Sequence, residues 1–422
     1  MENFFGQEEI PERVMLLEDP RDAFRHRINL ISKAEKQILL STFHFAEGKS
    51  ADIITGALLS AAERGVNVKV LNNGFVGTMP PRYIRVLSAH ENINIYLFNR
   101  FEFFRPRYIN AALHDKYLII DESFMILGGR NIGDKYFNPE GYTGKLSLDR
   151  EVLVFNTDLY FKGSIADVSS YFEEKINSDR AAPVARRTRN DWEERKNHYI
   201  GLYMEWRESF HQNDFDFYSN TVGVNRITLI TNPFDTAKKE SVLAYKLMMI
   251  AKNSNVIIAQ SPYVVLTRRN LEIFATLVRY RDFTLLTNSL ASTPNLPSFS
   301  AYYVNRRNIL ATGITIYEYQ STESSLHAKT YLFDGRLTAI GSFNMNERSI
   351  RSDTESMLII DSEEFHDITL EAVNRFIARS LRVNADNTYE LSDYARPARV
   401  SRGKRILYNV AGRVLRMFRF MF

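Results

Sequence analysis

Two histidines of this chain stand in nearly identical surroundings. His114 lies in LHDKYLIID (Leu113 to Asp121) and His327 in LHAKTYLFD (Leu326 to Asp334). Each is followed by a lysine two residues on (Lys116, Lys329), an aspartate (Asp121, Asp334) and a glycine turn ending in asparagine, GGRN (Gly128 to Asn131) or GSFN (Gly341 to Asn344). His114 to His327 and Asn131 to Asn344 both span 213 residues, so the spacing inside the two copies is the same. Side chains two apart on a strand share a face, so each histidine projects with its lysine from one strand end. The glycines allow a tight turn that brings the asparagine amide to the same place. One set offers a nucleophile or acid, a cation and a donor. Two sets facing each other surround a single anion, which makes a complete phosphodiester site. Lys116, Lys329, Asn131 and Asn344, with Gly129 and Ser342 beside them, would hold the phosphate oxygens as charge develops. One histidine would attack phosphorus while the other protonates the departing alcohol. The lysines supply the positive charge, so this chemistry requires no metal and no cofactor.

A lone histidine on an apolar strand is ordinarily a packing residue. The doubling of the whole pattern is what singles out His114 and His327. His26, His90, His198, His211 and His366 read as surface or packing residues, whereas His44, after a core strand, either packs or lines the cleft. Asp121 and Asp334, five residues beyond their lysines, read as ties for the turn. Asp149 in LDREVLVF and Glu355 in DTESMLII follow each asparagine on a later strand. Either could hydrogen-bond a histidine Nδ1 and set its tautomer, or lie on the surface. Spacing alone leaves both readings open.

The elements that carry these residues are themselves duplicated. In the first half QILLSTFHF (Gln37 to Phe45) reads as a buried strand, followed by a helix from about Ser50 to Arg64, then strands NVKVLNN (Asn67 to Asn73) and INIYLF (Ile93 to Phe98). The second half repeats the order: NVIIAQSPY (Asn255 to Tyr263), a helix near Thr267 to Arg279, FTLLTNS (Phe283 to Ser289), a helix ending near Gly313, and ITIYEY (Ile314 to Tyr319). Strands alternating with helices predict an α/β fold of two similar halves. Each half is expected to be a mostly parallel sheet flanked by helices, the two related by a pseudo-two-fold axis through one active site. The predicted division is a first half at 1–179, a polar helical linker at 180–220 that Trp192 and Trp206 pack onto the body, a second half at 221–395 and a basic tail at 396–422.

Bulk composition agrees with two core-forming units. The chain has 422 residues, 45% hydrophobic and 25% charged. It has no cysteine, which excludes disulfides, thiolate metal sites and thiol nucleophiles. The first residues lack the basic-then-apolar pattern of a signal peptide, and no apolar run is long enough for a transmembrane helix. The net charge of +4 is unevenly placed: from Arg396 onward there are eight Lys/Arg and no acids, leaving a mildly acidic body. That distribution argues against a nucleic-acid-binding face.

These motifs resemble the duplicated HKD signature of the phospholipase D superfamily, over roughly Glu35 to Asp361. GGRNIGDKYF, LTNSLAST and LHAKTYLFDGRLTAIGSFNMNERS are similar to bacterial cardiolipin synthases, in particular the forms without transmembrane helices. The resemblance implies phosphatidyl transfer: one phosphatidylglycerol gives its phosphatidyl group to a histidine, and a second accepts it with release of glycerol. It implies His114 as nucleophile, His327 as acid, Lys116, Lys329, Asn131 and Asn344 around the phosphate, and Asp149 and Glu355 as the histidine-orienting acids. Two segments depart from the family. Asn72 and Asn73 stand where an acid is common, and STFHF lacks an expected tyrosine.

The tail RGKRILYNVAGRVLRMFRFMF (Arg402 to Phe422) has a helical period. Ile406, Leu407, Val410, Val414, Leu415, Phe418, Met421 and Phe422 fall on one face, and Arg402, Arg405, Asn409, Arg413, Arg416 and Arg419 on another. That pattern fits an interfacial helix on an anionic membrane; a packing helix or an oligomer contact is the alternative. The expected setting is peripheral, on the cytoplasmic face of a bacterial inner membrane, and sequence does not fix the oligomeric state. Competing activities with the same double motif are a phospholipase D hydrolase or head-group exchanger and a phospholipase D-family nuclease. A membrane-binding scaffold without catalysis is disfavoured because both motifs are intact.

Overall fold

The computed structural model describes residues 3–100, 111–209, 215–235 and 240–415. Strand β1 (Glu12–Leu17) leads into helix α1 (Pro20–Lys33), which Asp19 caps through the backbone N–H groups of Arg21 and Asp22. A βαβαβ run follows: β2 (Gln37–Thr42), α2 (Lys49–Glu63), β3 (Asn67–Asn73), α3 (Pro81–Ser88) and β4 (Ile93–Phe98). Then come β5 (Tyr117–Ile120), β6 (Phe124–Gly128), α4 (Asp134–Phe137), β7 (Leu146–Leu148), β8 (Glu151–Asn156), α5 (Ser164–Ile176), β9 (Ala181–Pro183), α6 (Trp192–Ser209) and β10 (Val222–Gly223).

The second half begins with β11 (Arg226–Thr231), α7 (Val242–Lys252), β12 (Val256–Gln260), β13 (Val264–Val265), α8 (Arg268–Val278), β14 (Asp282–Asn288), α9 (Leu296–Leu310) and β15 (Thr315–Tyr319). It continues through β16 (Ser324–Leu326), β17 (Thr330–Phe333), β18 (Leu337–Gly341), β19 (Met345–Asn346), α10 (Glu347–Arg351), β20 (Ser356–Asp361), α11 (Glu363–Ile377) and β21 (Ser380–Arg382), and ends in α12 (Arg402–Leu415).

The two large sheets have matching strand orders. One runs β10-β1-β8-β6-β5-β2-β3-β4-β9 and the other β11-β20-β18-β17-β12-β14-β15-β21. Two sheet-rich halves flanked by helices are therefore present, but the expected parallel pairing is corrected. Within these two sheets only β2-β3-β4 and β12-β14-β15 pair in parallel; their other ladders are antiparallel. The reason is loop length. Helical crossovers join the parallel strands, whereas a three-residue turn joins β5 to β6 and another joins β17 to β18, and so short a link can only reverse the chain. The region between the halves is also more than a linker. Besides α6 it adds β9 and β10 to the two edges of the first sheet.

One core cluster spans both halves: Leu39, Leu127 and Val152 pack with Ile340, Leu358 and Ile360, all under 2% exposed. The inner faces of the sheets thus share a single interior, and losing one such Leu side chain would cost about 2–5 kcal/mol. Two further clusters lie under the outer helices of each half. Among the described residues, no helix is long and apolar enough to cross a membrane.

Candidate active site

The two motif strands end side by side where the halves meet. His114 and Lys116 precede β5, and His327 and Lys329 precede β17, so the histidine–lysine pairs lie just outside the ladders rather than within them. Their extended course is held by pairing with the opposite half. β16 pairs in parallel with β7, and Leu113 bridges to Thr354. The His327 N–H donates to Leu148 O at 2.7 Å, and the His114 N–H to Thr354 Oγ1 at 3.0 Å. Strand-end asparagines complete the support: Asn73 Oδ1 accepts from Leu113 N and Asn288 Oδ1 from Leu326 N, both at 2.9 Å.

Each imidazole takes its acid from the other half. His114 Nδ1 lies 3.0 Å from both Glu355 oxygens, and His327 Nδ1 contacts Asp149 Oδ2 closely. The two carboxylates and the two lysines are almost wholly buried. An acceptor on Nδ1 leaves Nε2 as the reactive nitrogen. Lys116 and Lys329 each donate to the carbonyl of their own histidine. The rings have aromatic neighbours: Phe43 beside His114, and Tyr136 and Tyr263 beside His327.

The electrostatics of the two pairs differ. Burial alone would raise Asp149, but His327, Lys329 and Arg130 outweigh it and hold the carboxyl well below its usual range. Arg150 N–H adds a direct hydrogen bond at 2.9 Å. Burial raises Glu355 well above its usual range against the pull of Lys116, with the nearby Asp353 charge adding to the rise. Burial lowers both histidines, His327 to about 3, and their lysines push in the same direction. Burial also lowers Lys116 to about 7 and Lys329 to about 8, partly opposed by Glu355 and Asp149 respectively. Burial thus leaves both lysines close to deprotonation, and an anion beside them would favour their ammonium forms.

The other residues singled out from the sequence fall into place unevenly. Asn131 lies next to the site with both ends of its amide engaged: Oδ1 accepts from His44 N and Nδ2 donates to Tyr136 OH, each at 3.1 Å. Buried Asn344 Oδ1 has no hydrogen-bond partner among the described residues. Ser342 Oγ donates to Glu355 rather than toward a bound group, and a Cβ at Gly129 would lie 2.4 Å from Asp149 Oδ1. The two motif positions therefore abut the acids: Gly129 leaves room for Asp149, and Ser342 hydrogen-bonds Glu355. Asp121 accepts from the N–H groups of Glu35, Lys36 and Gln37, and Asp334 from those of Asn255 and Val256, far from the imidazoles along the strands.

His44 is half-buried near Lys116 and Lys135. His26 packs on Phe215, His90 meets Glu63, His198 lies against Tyr199 and His366 is beside Asp367. His211 lies outside the described residues.

Several positioning residues escaped the sequence reading. Asn73 and Asn288 carried a signal, since VLNN and LLTN both end in asparagine at the same point of the repeat. Thr354 did not: it bridges the His114 N–H to buried Asp115, which also binds Lys175 at 2.8 Å. Arg150 did not either. From beside Asp149 it reaches Gln260 and Thr330 of the second sheet at 2.8 and 3.0 Å, and Glu18 of the first half.

Comparison with known proteins agrees with this geometry. A family profile described as "Cardiolipin synthase, PLD-like domain" matches residues 28–176 and 247–377, well over half of the chain. An uncharacterized protein of Helicobacter pylori is 30% identical over 395 residues, covering 83% of this chain and 76% of its own. Cardiolipin synthase C of Escherichia coli is 27% identical, covering 82% and 81%. The crystal structure of phosphatidylserine synthase from Haemophilus influenzae superposes with a TM-score of 0.65 over 97% of this chain and 95% of that one, at 14% identity, a likeness of fold.

Proposed function

The chain belongs to the phospholipase D-like cardiolipin synthase family, and from that premise we propose that it makes cardiolipin by transferring a phosphatidyl group between two phosphatidylglycerol molecules. The observation that carries the reading is the pair of crossed His–carboxylate contacts, His114–Glu355 and His327–Asp149, with Lys116 and Lys329 beside them. His114 Nε2 attacks phosphorus. The P–O bond to the leaving glycerol breaks, and His327 gives that oxygen a proton. In the second step the hydroxyl of another phosphatidylglycerol loses its proton to His327 and attacks phosphorus, and the N–P bond breaks. His327 takes the acid role because firmly ionised Asp149 stabilises an imidazolium there, and the arriving phosphate favours the same proton uptake. Lys116, Lys329 and Asn344 face the non-bridging oxygens, and Asn131 braces His44 beside them.

The same reading has the protein reach lipid through α12. Its exposed side carries Ile406, Leu407, Val410 and Val414, each more than half exposed, while Tyr408 and Gly412 dock on α9. Arg402, Arg405 and Arg413 lie on a third side, suited to anionic head groups. Residues 416–422 of the basic tail lie outside the described residues.

The test is product analysis by mass spectrometry after incubation with phosphatidylglycerol vesicles, beside the His114→Ala/His327→Ala double variant. Cardiolipin and glycerol from the wild type alone support the synthase. Phosphatidic acid alone makes the protein a hydrolase, and no lipid product at all returns the nuclease reading to the front.

A further inference from the structure

The pseudo-symmetry also fails outside the catalytic centre. In the first half, α6 covers α1 and α2. Trp206 meets Phe24 edge-on at 5.3 Å, and α6 approaches Gly56 of α2 so closely that a Cβ there would lie 2.0 Å from Tyr199 O. Among the described residues, no helix covers the equivalent helices of the second half, α7 and α8, in this way. A cavity of about 380 Å³ opens between them, within the size range of small-ligand sites.

Its floor is apolar and belongs to the catalytic strand and loop. Tyr331 and Phe333 follow Lys329 at two-residue steps on one face of the strand, so a single face runs from the site into the cavity. Phe343 and Met345, on either side of Asn344, form another wall. At the mouth stand exposed Tyr245 and Ile273 with two guanidiniums, Arg269 and Arg351. Glu347 takes a 2.9 Å contact from Arg351 and a hydrogen bond from Asn270, which leaves the mouth with net positive charge.

An apolar slot behind a cationic rim matches an amphiphile with one anionic head. Given the phospholipid chemistry proposed above, on which this inference rests, we propose that the cavity holds one acyl chain of an anionic phospholipid, its phosphate lying at Arg269 and Arg351. A chain seated there presses on the segment that carries Asn344. Filling the slot therefore sets the position of that residue, in a way that substrate at the histidines alone does not.

The test uses the full chain and monomeric phosphatidylglycerols with acyl chains of six, seven and eight carbons, titrated calorimetrically below their micellar concentrations. Affinity should rise about fourfold per buried methylene. Ala244→Phe, which fills the slot, should flatten that dependence, and Arg269→Glu, a surface change that spares the fold, should weaken binding about fivefold at low salt. Lys116→Met should keep the chain-length dependence. An unchanged dependence in Ala244→Phe, or its loss only in Lys116→Met, overturns the proposal. So does a concentration-dependent dimer that Ala244→Phe abolishes, which would make a second copy of the chain the occupant. Cardiolipin formation is measured separately, so a protein that binds in this pattern without producing cardiolipin refutes the synthase reading and leaves the lipid slot standing.

Discussion

Glu355 contacts the ring of His114 across 241 residues of sequence, and both of its oxygens lie 3.0 Å from Nδ1. The acid thus fixes the tautomer of a histidine in the other half. Replacing it by the isosteric amide should leave the fold intact but free the ring to present the wrong nitrogen. For Glu355→Gln we expect kcat to fall by about 10²–10⁴ with little change in KM. The Nδ1 and Nε2 NMR shifts of His114 should move while those of His327 stay. Asp149→Asn should do the reverse. A shift of both rings in either variant would mean that the pairs are not independent.

The order of chemical steps can be trapped. With His114 as nucleophile, His114→Ala should yield no phospho-enzyme on rapid acid quench with radiolabelled substrate. His327→Asn should accumulate it, because the incoming alcohol then lacks its base. Label trapped only in the His114 variant would exchange the two roles.

The buried lysines give anion binding a pH dependence. Burial pushes Lys116 down to about 7 and Lys329 to about 8. Only the ammonium forms attract phosphate, so affinity for inorganic phosphate or vanadate should fall as pH rises from 6 to 9, by up to about tenfold per unit for each lysine that must be reprotonated. Lys116→Met should bind more weakly throughout and lose the inflection near 7. Affinity that is flat across this range would show that the lysines remain charged in the empty site.

The exposed side of α12 makes membrane attachment testable without deleting the helix. Leu407→Asp/Val410→Asp keeps the docked residues Tyr408 and Gly412. It should still weaken sedimentation with anionic vesicles by at least about tenfold. The isolated active site would be unharmed, so turnover of short-chain monomeric substrate should persist. Unchanged vesicle binding would place the membrane contact elsewhere.

Much of this architecture was legible because it is written twice. NVKVLNN and INIYLF coincide with β3 and β4, and the helix read from Ser50 to Arg64 with α2 within two residues at either end. Strand direction was less legible. Apolar runs such as YLII and MILG are buried whichever way they pair, and only the shortness of the β5–β6 turn decides. For the candidate site, the spacing brought His114, Lys116, His327 and Lys329 together, but nothing local says that Asp149 serves His327 and Glu355 serves His114. That crossing follows from how the halves pack. Ser342 follows a motif glycine, a position expected around the phosphate, yet its hydroxyl turns to Glu355. Thr354 and Arg150 lie outside the repeated pattern, and their contacts reach elements more than a hundred residues away.

The exchange of acids between halves also bears on what a fragment of this protein is worth. Neither half owns a histidine together with the carboxylate that orients it, so neither is a smaller version of the whole. A chain severed between β10 and β11 should be inert as two separate pieces and active again only when they reunite. Joining the halves in one polypeptide has a further effect. Two copies of an identical subunit would have to meet donor and acceptor with the same surface. Here one side has aspartate facing glycine and the other glutamate facing serine, so the two histidines need not do the same job.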